Sequence, residues 1–166
     1  MLKYERVQPG DLAEITELYK RFLNDGDGVD AHLRESLALP GFIGVKCVDG
    51  ERMAGVFTAR PGISFTYEKP ELTNEILGRW PGATIFTGDM LIVRPEYRRE
   101  GVGSGLTKLL MREMRAAGIG YFLMEMWDKK NGEEPAGRMV KHVGTVAGRW
   151  VIPDFYKDLH LYGMTC

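Results

Sequence analysis

Hydrophobic and polar positions alternate from Leu2 to Val7 and then recur at three- and four-residue intervals through Leu12, Ile15, Leu18, Tyr19 and Phe22. The first pattern is that of a strand and the second that of an amphipathic helix, because side chains repeat every two residues on a sheet and about every 3.6 on a helix. Pro9-Gly10-Asp11 separates them, and Asp11 is the expected helix cap. Asn24 to Gly28 ends that helix, and Ala31 to Leu39 predicts a second, stopped by Pro40-Gly41. Phe42 to Val48 and Met53 to Ala59 read as antiparallel strands flanking Asp49-Gly50, a hairpin signal. Arg60 to Gly82 is irregular, with a helical turn expected over Leu72 to Leu77 after Pro70. Ala83 to Val93 predicts a fourth strand and Val102 to Ala117 a third helix, with its apolar stripe at Leu106, Leu109, Leu110 and Met114. Tyr121 to Met126 reads as a nearly continuous apolar, central strand. A short helix over Pro135 to Val143 and two last strands, Thr145 to Ile152 and Asp158 to Met164, complete the order β-α-α-β-β-β-α-β-α-β-β. The prediction is a mixed α/β domain with a mostly antiparallel sheet of six to seven strands and about four helices. One parallel step joins strands four and five through the third helix.

The 166 residues suit a single domain spanning 1–166. At 44% hydrophobic and 27% charged they match a globular average, which argues against disorder and coiled coil. A net charge of −1 gives no basic field for nucleic acid or a membrane surface. No apolar run approaches the roughly 18 residues a membrane helix needs. Two cysteines, Cys47 and Cys166, make neither a disulfide framework nor a four-ligand zinc site. No metal and a reducing, cytoplasmic setting are therefore expected. The chain stops at Cys166, at the end of a strand, which leaves a trimmed longer chain and a lost metal knuckle as an alternative.

The most informative stretch is Leu91-Ile92-Val93-Arg94-Pro95-Glu96-Tyr97-Arg98-Arg99-Glu100-Gly101-Val102-Gly103-Ser104-Gly105-Leu106. A strand ends, a basic loop follows, and glycines open a helix. The first helical amides have no internal partner, and the helix dipole adds positive charge there. Glycines admit an anion close to the backbone, so the pattern is that of a pyrophosphate site. Arg94, Arg98, Arg99, Lys108, Arg112 and Arg115 outnumber Glu96, Glu100 and Glu113 locally. A tight turn with solvated arginines is the competing reading. No Gly-Lys-Ser/Thr makes a Walker loop, and Leu106 stands where the third glycine of a dinucleotide fingerprint belongs.

Arg98-Arg99-Glu100-Gly101-Val102-Gly103 resembles the Arg/Gln-x-x-Gly-x-Gly/Ala acyl-CoA loop of the GCN5-related N-acetyltransferases (the GNAT superfamily). The lead-in Val93-Arg94-Pro95-Glu96-Tyr97-Arg98, the order of elements and the tail Phe155 to Tyr162 are similar to the family as well. The resemblance implies a sheet splayed between strands four and five, where the pantetheine arm of acetyl-CoA inserts. It implies that the backbone of Arg99, Glu100, Gly101, Val102, Gly103 and Ser104 holds the pyrophosphate and that the main chain of Leu91, Ile92 and Val93 pairs with the arm. Arg98 is a further cofactor contact, with surface solubility as the alternative for it and for Arg99. The activity implied is transfer of an acetyl or other short acyl group from acetyl-CoA to a primary amine of a small molecule or peptide, with a homodimer left open.

Amide formation needs a base for the amine, polarisation of the thioester oxygen and a proton for the departing thiolate. In many family members a tyrosine within Asn-x-x-Ala-x-x-x-Tyr-x-x-x-Gly-Phe supplies that proton. Ala136 and Gly144 keep the spacing, but Val140 occupies the tyrosine position and Glu133 the asparagine position, with Asn131 near. Tyr156, Tyr162 and His142 are the substitutes. Asp89 is the candidate base, because alternation puts it on a face with Thr87, Leu91 and Val93, and a carboxylate in an apolar strand needs a partner or water. A bulge-satisfied aspartate is the alternative there, and Glu125 is a second candidate. Asp25, Asp27, Asp30 and Glu35 make the region joining the first two helices acidic, which suits a cationic acceptor or simply a solvated loop. Phe65, Tyr67 and Trp80 either wall a pocket or pack the irregular segment, and His32 and His160 have no evident partner and read as structural. A CoA-binding sensor that has lost turnover is the alternative to an enzyme.

Overall fold

A computed structural model describes residues 1–23, 29–64, 70–127, 137, 146–151 and 159–166. Seven strands are ordered β1-β2-β3-β4-β5-β7-β6: β1 Leu2–Arg6, β2 Ile43–Asp49, β3 Arg52–Pro61, β4 Ile85–Val93, β5 Tyr121–Trp127, β6 Val146–Val151 and β7 Leu159–Thr165. The helices with described bounds are α1 Leu12–Phe22, α2 Val29–Ala38, α3 Pro70–Arg79 and α4 Val102–Ala116. The fold is mixed α/β, with antiparallel β1–β2, β2–β3, β5–β7 and β6–β7 pairs and one parallel pair, β4–β5. The helix expected over Pro135 to Val143 lies outside the described residues except for Gly137. The chain divides into two compact units, one of Met1–Arg60 with Asp89–Glu113 and one of Pro61–Gly88 with Met114–Cys166.

In the first unit the α1 stripe buries Ile15 and Leu18 with Leu33, Met53, Val56, Met90 and Ile92. Asp11 stands at the N-cap position of α1, yet its carboxylate does not cap the helix. It accepts the Gln8 amide at 2.7 Å and the amine of buried Lys46 at 2.6 Å, because a buried ammonium needs a counter-charge more than an exposed helix end needs a cap. The β2–β3 turn is Gly50-Glu51, one residue later than the Asp49-Gly50 signal, with Asp49 paired to Arg52 and Gly50 at φ +62°. The β2–β3 register slips between Cys47 and Val48, a bulge that leaves Ala54 without a partner residue on β2.

Arg94, directly after β4, uses that irregularity. Its side chain is buried, and its Nε donates to the Met53 carbonyl at 2.7 Å while its amide donates to the Ala54 carbonyl at 2.9 Å. Its guanidinium reaches Glu14 at 3.4 Å and Glu17 at 3.7 Å, and Glu14 also accepts the Met53 amide at 2.8 Å. Arg94 therefore ties β3, the end of β4 and α1 together, rather than adding to the basic character of the loop as charge counting implies.

The second unit is built on aromatic packing. Leu72, Ile76 and Trp80 form an i, i+4, i+8 stripe that carries α3 well past the single turn expected. Trp80 is buried; its ring stacks on Tyr121 with centroids 4.2 Å apart and meets Trp150 edge-on at 5.6 Å. Trp80 is thus a core residue and not a pocket wall, whereas Phe65 and Tyr67 lie outside the described residues. The Trp150 indole donates to Glu75 at 2.7 Å, which satisfies its N–H at the edge of the core. Parallel β4–β5 pairing covers Ile85–Thr87 with Tyr121–Leu123. Gly88 follows at once, and a Cβ there would lie 2.8 Å from the Phe122 ring, so the close approach requires glycine.

Replacing Arg94 with methionine should cost about 2–4 kcal/mol, because the Met53 carbonyl loses its buried donor and Glu14 its counter-charge. Urea unfolding checks this, and a loss of less than about 1 kcal/mol would mean that the clamp is dispensable.

Candidate functional site

β4 keeps strict alternation through its last four residues. Met90 and Ile92 are buried in the α1 core, while Leu91 and Val93 are half-buried on the opposite face. Leu91 and Val93 therefore present one edge of the strand to whatever lies on that face, and Ile92 has only its main chain to offer. After Arg94, Pro95–Tyr97 forms a 3-10 turn, held by the Tyr97 amide on the Arg94 carbonyl at 3.0 Å. The Tyr97 hydroxyl donates to Asp49 at 3.3 Å, and Glu96 pairs with Arg52 at 2.6 Å.

Arg98 Nε donates to the Val93 carbonyl at 3.0 Å, so this arginine braces the loop against the strand it left. Arg99 is left-handed at φ +69°, a conformation that costs a non-glycine residue about 1–2 kcal/mol, and Gly101 follows at φ +82°. These two residues turn the chain into α4. The first intrahelical bond runs from the Gly105 amide to the Gly101 carbonyl at 2.9 Å. The amides of Val102 and Gly103 precede it and have no helical carbonyl to meet. A Cβ on Gly103 would touch only Val93 Cγ2, at 3.8 Å, so the space beside its backbone is open. The Val102 and Leu106 side chains, fully buried, fix the first turn of α4 beneath that space. Glu100 is exposed and Ser104 half-buried with a polar interaction of its own. Of the loop's cations, Arg98, Arg99, Lys108 and Arg115 are exposed, while Arg94 is turned inward and exposed Arg112 pairs with Glu113 at 3.1 Å. A helix N-terminus with open space beside Gly103 and exposed cations near it can hold an anion without an enclosing pocket.

A second constellation sits earlier on β4. The Asp89 side chain is 8% exposed, with Oδ1 3.5 Å from His32 Nε2 and 3.6 Å from Arg60 Nε. Its Oδ2 is buried and has no hydrogen-bond partner among the described residues. Tyr19, half-buried on α1, has its hydroxyl pushed up first by burial and then by the Asp89 charge, partly offset by Arg60, so it is protonated at neutral pH. α1, α2, β3 and β4 thus each contribute one group. Asp89 stands out in the sequence as a carboxylate within an apolar strand. His32, expected to be structural, is instead a partner of Asp89, and Arg60 and Tyr19 were not singled out. No local signal marks them, because the cluster exists only once two helices pack on the sheet.

Tyr162 is buried on β7 opposite Met124 and Arg149, with the Arg149 guanidinium 5.8 Å from its ring centre. His160 lies 3.4 Å from Arg149, so it too has a partner, and Glu125 is engaged elsewhere. Tyr156, His142, Val140, Glu133 and Asn131 lie outside the described residues, as do Asp25 and Asp27. Asp30 is paired with Lys20 at 2.8 Å, which weakens the expected acidic window. Burial pushes the Cys166 thiol up to about 11, so it is not a ready metal ligand at neutral pH. No helix among the described residues is long and apolar enough to cross a membrane.

A model of the acetyltransferase (GNAT) family matches residues 12–145. No curated protein matches the chain. Among solved structures, an aminoglycoside 6'-N-acetyltransferase complexed with coenzyme A has a TM-score of 0.72 at 16% identity, covering 99% of this chain and 96% of the other. Arabidopsis thaliana NAA60 in complex with acetyl-CoA has a TM-score of 0.71 at 14% identity, covering 100% and 98%. The ribosomal-protein-S18-alanine N-acetyltransferase from Escherichia coli has a TM-score of 0.66 at 14% identity, covering 99% and 94%. At these identities the likeness is one of fold.

If the backbone rather than the side chain matters at Arg99, Arg99→Gly should leave stability within about 0.5 kcal/mol, the released strain offsetting glycine's entropy. Arg99→Val should cost about 1–2 kcal/mol, since a β-branched residue resists the left-handed region. Thermal unfolding of the two variants separates them.

Proposed function

The chain belongs to the acetyltransferase (GNAT) family, and on that premise we propose that it is an N-acyltransferase. It moves an acetyl or other short acyl group from acetyl-CoA to a primary amine of a small molecule or peptide, by direct attack in a ternary complex. The observation that carries the reading is the anion cradle: the Val102 and Gly103 amides ahead of the α4 ladder, with open space beside Gly103. The CoA pyrophosphate is the anion of matching chemistry, and solved relatives of this fold hold coenzyme A or acetyl-CoA. In this reading Arg99, Glu100, Gly101, Val102, Gly103 and Ser104 line the diphosphate. Arg98 holds the loop in place through Val93, and the main chain of Leu91, Ile92 and Val93 runs beside the pantetheine arm.

Asp89 supplies the negative charge that draws the proton from the acceptor amine, supported by its burial and by its orphaned Oδ2. Tyr156 and Tyr162 are the proposed proton donors to the thiolate in place of the tyrosine that Val140 replaces. Positioning of amine and thioester contributes most of the acceleration, and an acid–base group adds about 10²–10⁴. Val140 is also the feature that favours a CoA-binding sensor without turnover. Thiol release from acetyl-CoA across amino acids, polyamines, aminoglycosides and peptides decides between the two. We place the protein in the cytoplasm on its two free cysteines.

Gly103→Val fills the space beside the backbone without meeting a nearer neighbour than Val93, so the fold should tolerate it. CoA affinity should fall at least about tenfold, roughly 1.4 kcal/mol. Calorimetry on the folded variant checks this, and an unchanged Kd would remove the cradle as the CoA site.

A further inference from the structure

The Asp89 carboxylate is sealed on one side: Oδ2 is buried, and the whole side chain is 8% exposed. Oδ2 is closed to an acceptor amine. Its charge acts through the groups that face Oδ1, and of these only His32 reaches solvent substantially, at 40% exposure against 25% for Arg60. Arg60 does not release a proton in a protein, and Tyr19 keeps its own at neutral pH. His32 brings an imidazole to the cluster, the side chain used most often as a general base. The geometry points to His32 as the catalytic base that takes the acceptor amine's proton, with Asp89 behind it as the positioning residue.

This inference rests on the acyl-transfer reading and assigns its base. Nε2 faces Asp89 Oδ1 at 3.5 Å, and the proposal therefore puts the hydrogen of neutral His32 on Nε2 toward the carboxylate and the lone pair on Nδ1. The amine nitrogen forms a bond to the thioester carbonyl carbon, and the carbon–sulfur bond breaks. The nitrogen's proton passes to His32 Nδ1, and the CoA thiolate takes a proton from water or a nearby donor. The imidazolium is compensated by Asp89 and returns its proton to solvent between turnovers. A buried carboxylate behind a partly exposed imidazole is the arrangement that orients a histidine base in hydrolases of unrelated fold. Among the described residues, Arg60 from β3 and Tyr19 from α1 also face Asp89, and α2 itself carries Asp30, paired with Lys20 of α1, with Arg34 and Glu35.

The test uses the full chain with acetyl-CoA and four probe acceptors: spermidine, lysine, an aminoglycoside and an alanyl peptide. His32→Gln should lower kcat at least about tenfold, leave the KM for acetyl-CoA unchanged and abolish the acid limb of the kcat–pH profile. His32→Ala should regain activity when imidazole is added, a rescue that a structural histidine would not show. Asp89→Asn should lower kcat without such rescue. Circular dichroism confirms that each variant is folded, and Asp89→Asn with its intact histidine serves if the His32 variants are not. Turnover by the parent chain with an unaltered rate and pH profile in His32→Gln overturns the inference and leaves the acyl-transfer reading standing. An acetyl-CoA complex that acetylates none of the four probes overturns both.

Discussion

A guanidinium buried where a strand ends is costly unless it is both paired and hydrogen-bonded. Arg94 is hydrogen-bonded to the Met53 carbonyl and Glu14 and paired with Glu17, and its own amide closes on Ala54. The β2–β3 bulge falls at these same β3 residues, and Glu14 is held in turn by the Met53 amide. The end of β4 is thereby fixed against both β3 and α1. The 3-10 turn at Pro95–Tyr97 starts from that fixed point, and the left-handed Arg99 and Gly101 carry its orientation into the first turn of α4. A helix N-terminus binds an anion usefully only when its direction is set, so the cradle inherits its geometry from a residue that does not face it.

The same strand serves two purposes at different points along its length. Met90 and Ile92 sink into the α1 core and hold β4 rigid, which leaves Leu91 and Val93 on the other face, while Asp89, one residue earlier, meets His32 of α2 and Arg60 of β3. Four residues, about 13 Å of strand, separate Asp89 from Val93. One rigid element therefore carries both the polar cluster and the lead into the anion loop, and its stiffness comes from residues that take no part in either.

Local features were legible in the sequence, and features made by distant partners were not. The Gly101-Val102-Gly103 turn and the α4 stripe each depend on residues close along the chain, and the structure has them where the pattern puts them. Arg94 was counted as part of a basic loop because charge counting carries no information on burial. Asp11 has the chemistry of a cap, but Lys46 from β2 competes for it and prevails. α3 exceeded the expected single turn because Trp80 continues its stripe into a cluster assembled from β5, β6 and β7. His32 was the largest omission, since a lone histidine on a helix says nothing of the carboxylate it will meet.

The cost of each missing proton-transfer group argues for where chemistry can be lost. A primary amine with an ordinary pKa of about 10.4 is neutral in fewer than about one molecule in a thousand at pH 7, a penalty of about 4–5 kcal/mol. A thiol of pKa about 8.5 leaves as an anion at a penalty of about 2 kcal/mol at the same pH. On the acyl-transfer reading, replacing a tyrosine donor with Val140 forfeits help only with the departing thiolate, the less costly of the two proton transfers, and water can supply that proton. Deprotonating the amine is the costlier transfer, and a buried carboxylate backed by Arg60 and fronted by His32 is arranged against it. A chain of this fold can therefore dispense with its donor more readily than with its base, which is the pattern that Val140, Asp89 and His32 present together.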